Sequence, residues 1–398
     1  MISMQVATAN DSSDSALARV KWHDRKRYLW LLGIAAAVLP LGAWRLAEKS
    51  ENELAWFLGP IVVLVILPVL DLIVGPDAAN PPDSALKWLE EDRYYRWLTY
   101  LFLPGQYAGL GFSCWMWAHG DLSTVAGIGL AISTGIVAGT GINVAHELGH
   151  KRVELERWLS RIALAQSGYG HFYIEHNRGH HVRVATPEDP ASGRMGESYW
   201  AFLPRTVIGS LQSAWALEKA RLDRLGRSPW STQNHILQSW AMTFVLFAGL
   251  TIVFGPVVLP FLLLQAVVGI SQLEVINYVE HYGLLRQKRE DGRYERCTHE
   301  HSWNSNRIVS NVFSFHLQRH SDHHANPTRR YQALCHDDGA PQLPAGYFGM
   351  MVLAYLPPLW RAVMDRRLLD FYGGDISRAN LAPAVRRRVM EERREAVS

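Results

Sequence analysis

The chain has 398 residues, of which 48% are hydrophobic and 19% charged, with a formal net charge of +3 and a mean hydropathy of −0.06. These values exclude a chain that is apolar throughout, and they argue against nucleic-acid binding driven by bulk positive charge. The charged share is below the roughly 25% of ordinary soluble domains, and 17 His with 15 Trp is a heavy load of both. Three Cys (Cys114, Cys297, Cys335) stand far apart with no C-x-x-C pair, so neither a four-cysteine metal module nor a disulfide framework is expected.

Residues 1–27 are polar and end in a basic cluster, Arg19, Lys21, Arg25, Lys26 and Arg27. The apolar segment that follows is too long for a secretory h-region and reads as a retained first span. Six apolar stretches then recur, each about the 20 residues that a helix needs to cross a bilayer. They are Tyr28–Ala47, Leu54–Val74, Trp97–Trp117, Leu122–Ala145, Ile236–Phe254 and Val257–Tyr278, the last two split by the turn signal Gly255-Pro256. The expected fold is therefore all-α, a six-transmembrane-helix bundle with a cytosolic histidine-rich cap. Its segments are 1–27 (cytosolic N-terminus), 28–146 (spans one to four), 147–235 (cap), 236–281 (spans five and six) and 282–398 (cytosolic C-terminal region). Lys and Arg flank the N-terminal, 87–96 and 151–152 segments, whereas the 3–4 and 5–6 connections have none; this places both termini in the cytosol. Asp71 near the end of span two is either a structural partner or part of a site.

The histidines cluster. His146-Glu-Leu-Gly-His150 sits where span four leaves the membrane, its imidazoles at i and i+4. His176-Asn-Arg-Gly-His180-His181 repeats the spacing, His281 closes span six, and His320-Ser-Asp-His323-His324 uses i, i+3 and i+4. Nine imidazoles can thus meet near one membrane depth. Neutral imidazole suits Zn, Cu, Fe or Ni, and nine ligands exceed one tetrahedral site, so two metals are expected. Glu147, Glu175, Glu280 and Asp322 are either acceptors that fix imidazole tautomers or solvated carboxylates balancing nearby Arg. His171, His299, His301 and His316 read as supporting or packing residues, and His23, His119, His235 and His336 as surface. The rival is H-E-x-x-H at 146–150, the zinc-protease pattern with Glu147 as general base; a catalytic zinc needs only three protein ligands, which leaves six histidines unexplained. A membrane metal transporter would need polar ligands through the spans, not at one end of them.

These three histidine boxes, in this order, resemble the membrane-bound non-haem di-iron superfamily of desaturases and hydroxylases. The wording His-Glu-Leu-Gly-His-Lys (146–151), Glu-His-Asn-Arg-Gly-His-His (175–181), Asn-Tyr-Val-Glu-His-Tyr-Gly (277–283) and Leu-Gln-Arg-His-Ser-Asp-His-His-Ala (317–325) is similar to the bacterial alkane 1-monooxygenases. The flanking Ala-Thr-Pro-Glu-Asp-Pro (185–190) and Ser-Trp-Asn-Ser-Asn (302–306) share that likeness. The resemblance implies two iron ions held by His146, His150, His176, His180, His181, His281, His320, His323 and His324, with O2 as co-substrate and no haem or flavin in this chain. It implies terminal hydroxylation of linear alkanes, electrons from a separate rubredoxin reduced by a NAD(P)H-dependent reductase, and a multi-pass home in the bacterial inner membrane; acyl desaturation is the alternative within the superfamily. The basic groups Arg286, Lys288, Arg289, Arg293, Arg329, Arg330 and Arg386–Arg388 either steer an acidic rubredoxin or anchor the chain at the headgroups. An alkane channel between spans would be lined by Val62, Val63, Val65 and Ile66 and by Ala126, Gly129, Ala131, Gly135 and Gly139, residues that ordinary helix packing would also favour.

Overall fold

Residues 22–77 and 79–395 are described by a computed structural model; residues 1–21, including Arg19 and Lys21 of the basic cluster, lie outside them. The described residues are helical, with isolated β-bridges only. Two apolar helices open the bundle, α1 (Leu31–Ser50) and α2 (Glu53–Val74). After a short amphipathic α3 (Asp83–Glu91) come α4 (Arg93–His119) and α5 (Thr124–Gly149). Side chains start both long helices: Asp92 accepts the Tyr94 N–H at 2.9 Å, and Ser123 the Ala126 N–H at 3.1 Å. The polar cap follows as α6 (Glu154–Ala165), α7 (residues 172–183) and α8 (Tyr199–Arg224). Next are α9 (His235–Phe254), which Asn234 caps by accepting the Ile236 N–H at 2.8 Å, and α10 (Pro256–His281). The rest holds α11 (Ile308–Phe313), α12 (His320–Ala325), α13 (Tyr347–Ala354), α14 (Pro357–Phe371) and α15 (Pro383–Glu395).

Five of these helices, α1, α2, α5, α9 and α10, are long and apolar enough to cross a membrane. Leu72 and Ile73 of α2, Phe244, Ile252 and Val253 of α9, and Leu263 and Val267 of α10 are exposed, as lipid-facing residues are. This is an integral membrane protein. The third expected span lies in α4, which is 27 residues long but is not among the five; its four Tyr, three Trp, Arg93, Arg96 and buried Gln106 dilute its leucines, so length is met and apolarity is not.

Helix α5 is the axis, with most of its length buried. Small residues let α10 approach it. A Cβ at Gly135 would lie 2.5 Å from Val268, and one at Gly269 would lie 2.9 Å from Ala138, contacts that only glycine permits. On the other side Gly129 faces Trp56 and Phe57 of α2, and Ser133 donates its hydroxyl to the Trp56 carbonyl at 2.6 Å. Asp71 is structural: its carboxylate accepts the Ser310 N–H at 2.9 Å and also the Ser310 hydroxyl. That pair pins α2 to α11 and satisfies a charge that would otherwise be costly at this depth.

Candidate metal centre

Helix α5 carries His146 in its last turn and is followed directly by His150, and α10 ends with His281. Helix α7 is wound as a π-helix over Glu175–His180, a wider turn that is frequent at functional sites. Helix α12 carries His320, His323 and His324. Together they bring nine imidazoles into two groups, each with its nitrogens close enough to share an ion: His146, His150, His176, His181 and His323, and separately His180, His281, His320 and His324. The boxes are therefore interleaved. Helix α7 sends His176 and His181 to the first group and His180 to the second; α12 sends His323 to the first and His320 and His324 to the second.

In the first group the Nε2–Nε2 distances are 2.9 Å for His146–His323, 3.0 Å for His150–His176, 3.1 Å for His176–His181 and 3.2 Å for His181–His323. In the second they are 3.2 Å for His281–His320 and 3.0 Å for His320–His324. Metal–imidazole bonds of about 2.0–2.1 Å meeting at right angles set neighbouring nitrogens about 3 Å apart, so these spacings suit a shared ion. Burial, reinforced by the neighbouring imidazoles, holds His150, His176, His181, His320, His323 and His324 well below the usual histidine pKa. They are neutral at pH 7, the form that ligates metal.

The opposite ring nitrogens fix two of the tautomers. His180 donates its Nδ1–H to Asp189 at 2.9 Å, and His281 donates to the His301 carbonyl at 3.1 Å; both leave the Nε2 lone pair facing inward, and His180 Nε2 has no other partner. Burial alone would raise Asp189, but His180 and Ser192 more than offset it and hold the carboxyl below its usual range.

A fatty acid desaturase family profile matches residues 122–354, more than half of the chain. The chain is 47% identical to an alkane 1-monooxygenase of Acinetobacter baylyi over 92% of its own length and 91% of that protein. It is 48% identical to one of Ectopseudomonas oleovorans over 91% and 90%. The chain belongs to the alkane 1-monooxygenase family. It is also 27% identical, over 56% of its length, to the hydroxylase component XylM of a Pseudomonas putida xylene/toluene monooxygenase.

In this member of the alkane 1-monooxygenase family, the carboxylates singled out in the sequence act differently from Asp189. Glu147 pairs with Lys151 at 3.0 Å and accepts the Tyr331 N–H, so it is not poised as a protease base. Glu175 pairs with Arg183 at 2.7 Å, and burial pushes its carboxyl up to about 7. Asp322 pairs with Arg329 at 2.6 Å. Neither reaches a ring Nδ1. Glu280 lies 3.2 Å from the inward Nε2 of His320, at the site rather than behind it. Arg330 is paired with Glu156 at 2.9 Å, so Arg329 and Arg330 are both held in partly buried ion pairs. Asp189, an acceptor that the histidine spacing does not point to, sits in the Ala-Thr-Pro-Glu-Asp-Pro segment at 185–190.

Of the outlying histidines, His301 supports the site through its carbonyl. His316 donates to the Tyr331 carbonyl at 2.8 Å, burial holding it down at about 3. His171 packs against Tyr169, and burial lowers it to about 4. His299 is 3.6 Å from Asp337 on an open surface.

Two small pockets with shared wall residues lie between α5 and α10. One is lined by His146, His176, His320, Phe172, Asn277 and Glu280, so it borders members of both groups. The other is lined by Gly139, Thr140, Gln272, Phe313, Phe348 and Met351. Asn143, Leu273, Ile276 and Leu317 line both. Of the nine residues expected along a channel, only Gly139 is in this wall. Val65 and Ile66 face outward, and Val63 is buried in the core with Ile136 and Met351. The walls come from Gly139, Thr140 and Asn143 further along α5, from α10, from α13 and from the segment at and after the end of α11.

Proposed function

We propose that this protein hydroxylates the terminal methyl of linear alkanes, with the nine histidines holding two iron ions in the two groups described. The observation that carries this reading is the gathering of nine Nε2 atoms into two groups, of which His146, His176 and His320 border a small pocket between α5 and α10. Bound iron would supply the redox chemistry that activates O2 and returns its second oxygen atom as water. The chain's own residues do the rest. Asp189 and the His301 carbonyl hold the ring tautomers that leave Nε2 free. Phe172, Leu273, Ile276 and Leu317 keep water from the reacting end and admit a chain only end-on. That geometry selects the terminal carbon, whose C–H bond is stronger than its internal neighbours. An alkane already dissolved in the bilayer can enter between helices.

In this reading α4 is a sixth span, both termini lie in the cytosol, and the protein resides in the bacterial inner membrane. Rubredoxin, kept reduced by a NAD(P)H-dependent reductase, delivers electrons one at a time from the cytosolic side. The test is purified protein with rubredoxin, reductase and NADH, fed linear alkanes, with products and bound metal measured together. Primary alcohols with about two irons per chain are expected. Zinc with peptide cleavage, or alkenes without alcohols, would overturn the reading.

A further inference from the structure

Arg161 on α6 is a buried cation without an anion. It is 7% exposed, yet no Asp or Glu among the described residues forms an ion pair with it. Its guanidinium lies over Trp158, 3.9 Å from the ring centre, and donates from Nη1 to the neutral Gln238 Oε1 at 2.8 Å, while Nε has no partner. Of the acids around it, Glu218 is already held by Arg221 at 2.6 Å and by Arg178 at 3.1 Å. Arg157, one turn earlier on the same helix, adds a second positive charge; its Nη2 donates to the Arg152 carbonyl at 3.3 Å. A charge taken out of water without a partner is costly, so this corner of the fold calls for an anion from outside the chain.

Gln238 lies in the first turn of α9 (His235–Phe254), a helix apolar enough to cross the membrane, so the guanidinium sits where that helix meets the headgroups. Trp158 of α6 and Trp240 of α9 are exposed, as tryptophans at a membrane interface are. We propose that Arg161, with Arg157, binds the phosphodiester of a membrane phospholipid between α6 and α9. The planar guanidinium fork suits two phosphate oxygens, and the exposed Leu155, Ile162 and Phe244 give the acyl chains an apolar surface. Free inorganic phosphate shares the charge chemistry but leaves that surface unused. The Tyr173 ring, 5.6 Å from the same guanidinium, lies three residues before His176, so the bound lipid also braces the start of α7. The site does not depend on the hydroxylation reading.

The test titrates the full chain in maltoside micelles with dioctanoyl phosphatidylglycerol, dioctanoylglycerol and inorganic phosphate separately, reading Kd by native mass spectrometry alongside Tm. Phosphatidylglycerol should bind and raise Tm, whereas dioctanoylglycerol and inorganic phosphate should do neither. Arg161→Gln should weaken phosphatidylglycerol binding about tenfold or more, the size of one charged hydrogen bond. An equal effect of dioctanoylglycerol would reduce the site to an apolar surface, and an equal effect of inorganic phosphate would make it a free-phosphate site. An unchanged Kd in Arg161→Gln would place the lipid elsewhere. Each of these results overturns the proposal. Where the variant does not fold, phosphatidylglycerol with a photoreactive headgroup decides on the unaltered chain: it should label residues 154–165 or the start of α9, and labelling confined to other segments would overturn the assignment.

Discussion

Replacing Asp189 by Asn changes little in shape and much in electrostatics. The carboxylate receives the His180 Nδ1–H at 2.9 Å, the Ser192 hydroxyl at 2.7 Å and the Ala191 N–H at 3.1 Å, all buried. An asparagine amide turned toward His180 would oblige Nδ1 to accept, moving the ring proton to Nε2 and removing the lone pair aimed at the second group. A charged hydrogen bond is worth about 1.5–3 kcal/mol net. Loss of a carboxylate behind a ligating histidine costs about 10–100-fold in metal affinity, which is about 1.4–2.8 kcal/mol; the two routes agree. Because no member of the first group touches Asp189, the loss should be one-sided. Dialysis of Asp189→Asn protein against graded chelator should release one metal equivalent at 10–100-fold lower chelator strength than the other. Parallel release of both equivalents, or retention of both as in the unaltered chain, would refute the argument.

His324→Ala should lower alcohol formation at least 100-fold and reduce metal content toward one ion per chain, read by product chromatography and elemental analysis. Asp77 holds Lys26 at 2.7 Å and Arg319 at 3.0 Å, and the Arg319 side chain is fully buried. Asp77→Ala strands both cations and should cost about 3–5 kcal/mol, seen as a lower Tm in detergent; an unchanged Tm would show that the network is not stabilising. His171 and His316 are held at about 4 and 3 by burial, so the folded chain keeps them neutral while the unfolded chain takes up protons below about 6.5. The Tm of metal-free protein should therefore be level from pH 8 to 7 and fall as pH drops from 6.5 toward 4; a Tm constant across that window would contradict the burial.

The histidine boxes were legible because imidazole is sparse elsewhere in membrane helices and their spacing is short-range. Their division between two groups was not legible. An i, i+4 reading puts His176 and His180 on one face, but the π-helical winding of α7 sends them to different groups. Six apolar stretches read as spans; five of them are helices long and apolar enough to cross a membrane, while α4 is too aromatic and polar to be counted with them. The cavity walls were the least legible part, because Phe313, Leu317, Phe348 and Met351 come from segments far along the chain that fold back against α5 and α10. No local periodicity records that return. Small residues on α5 gave a false signal, since Gly129 and Gly135 serve helix contact and only Gly139 borders the cavity.

The interleaving of the two groups has a consequence for biosynthesis. Helix α12 supplies one imidazole to the first group and two to the second, and it is made after α1, α2, α5, α9 and α10. A nascent chain that has not yet reached residue 323 lacks His323 of the first group and His324 of the second, so neither group has its full set. The complete sets are thereby postponed until the apolar helices have been synthesised. Domains generally fold in the order they are made, and here the histidines that complete both groups come after every apolar helix.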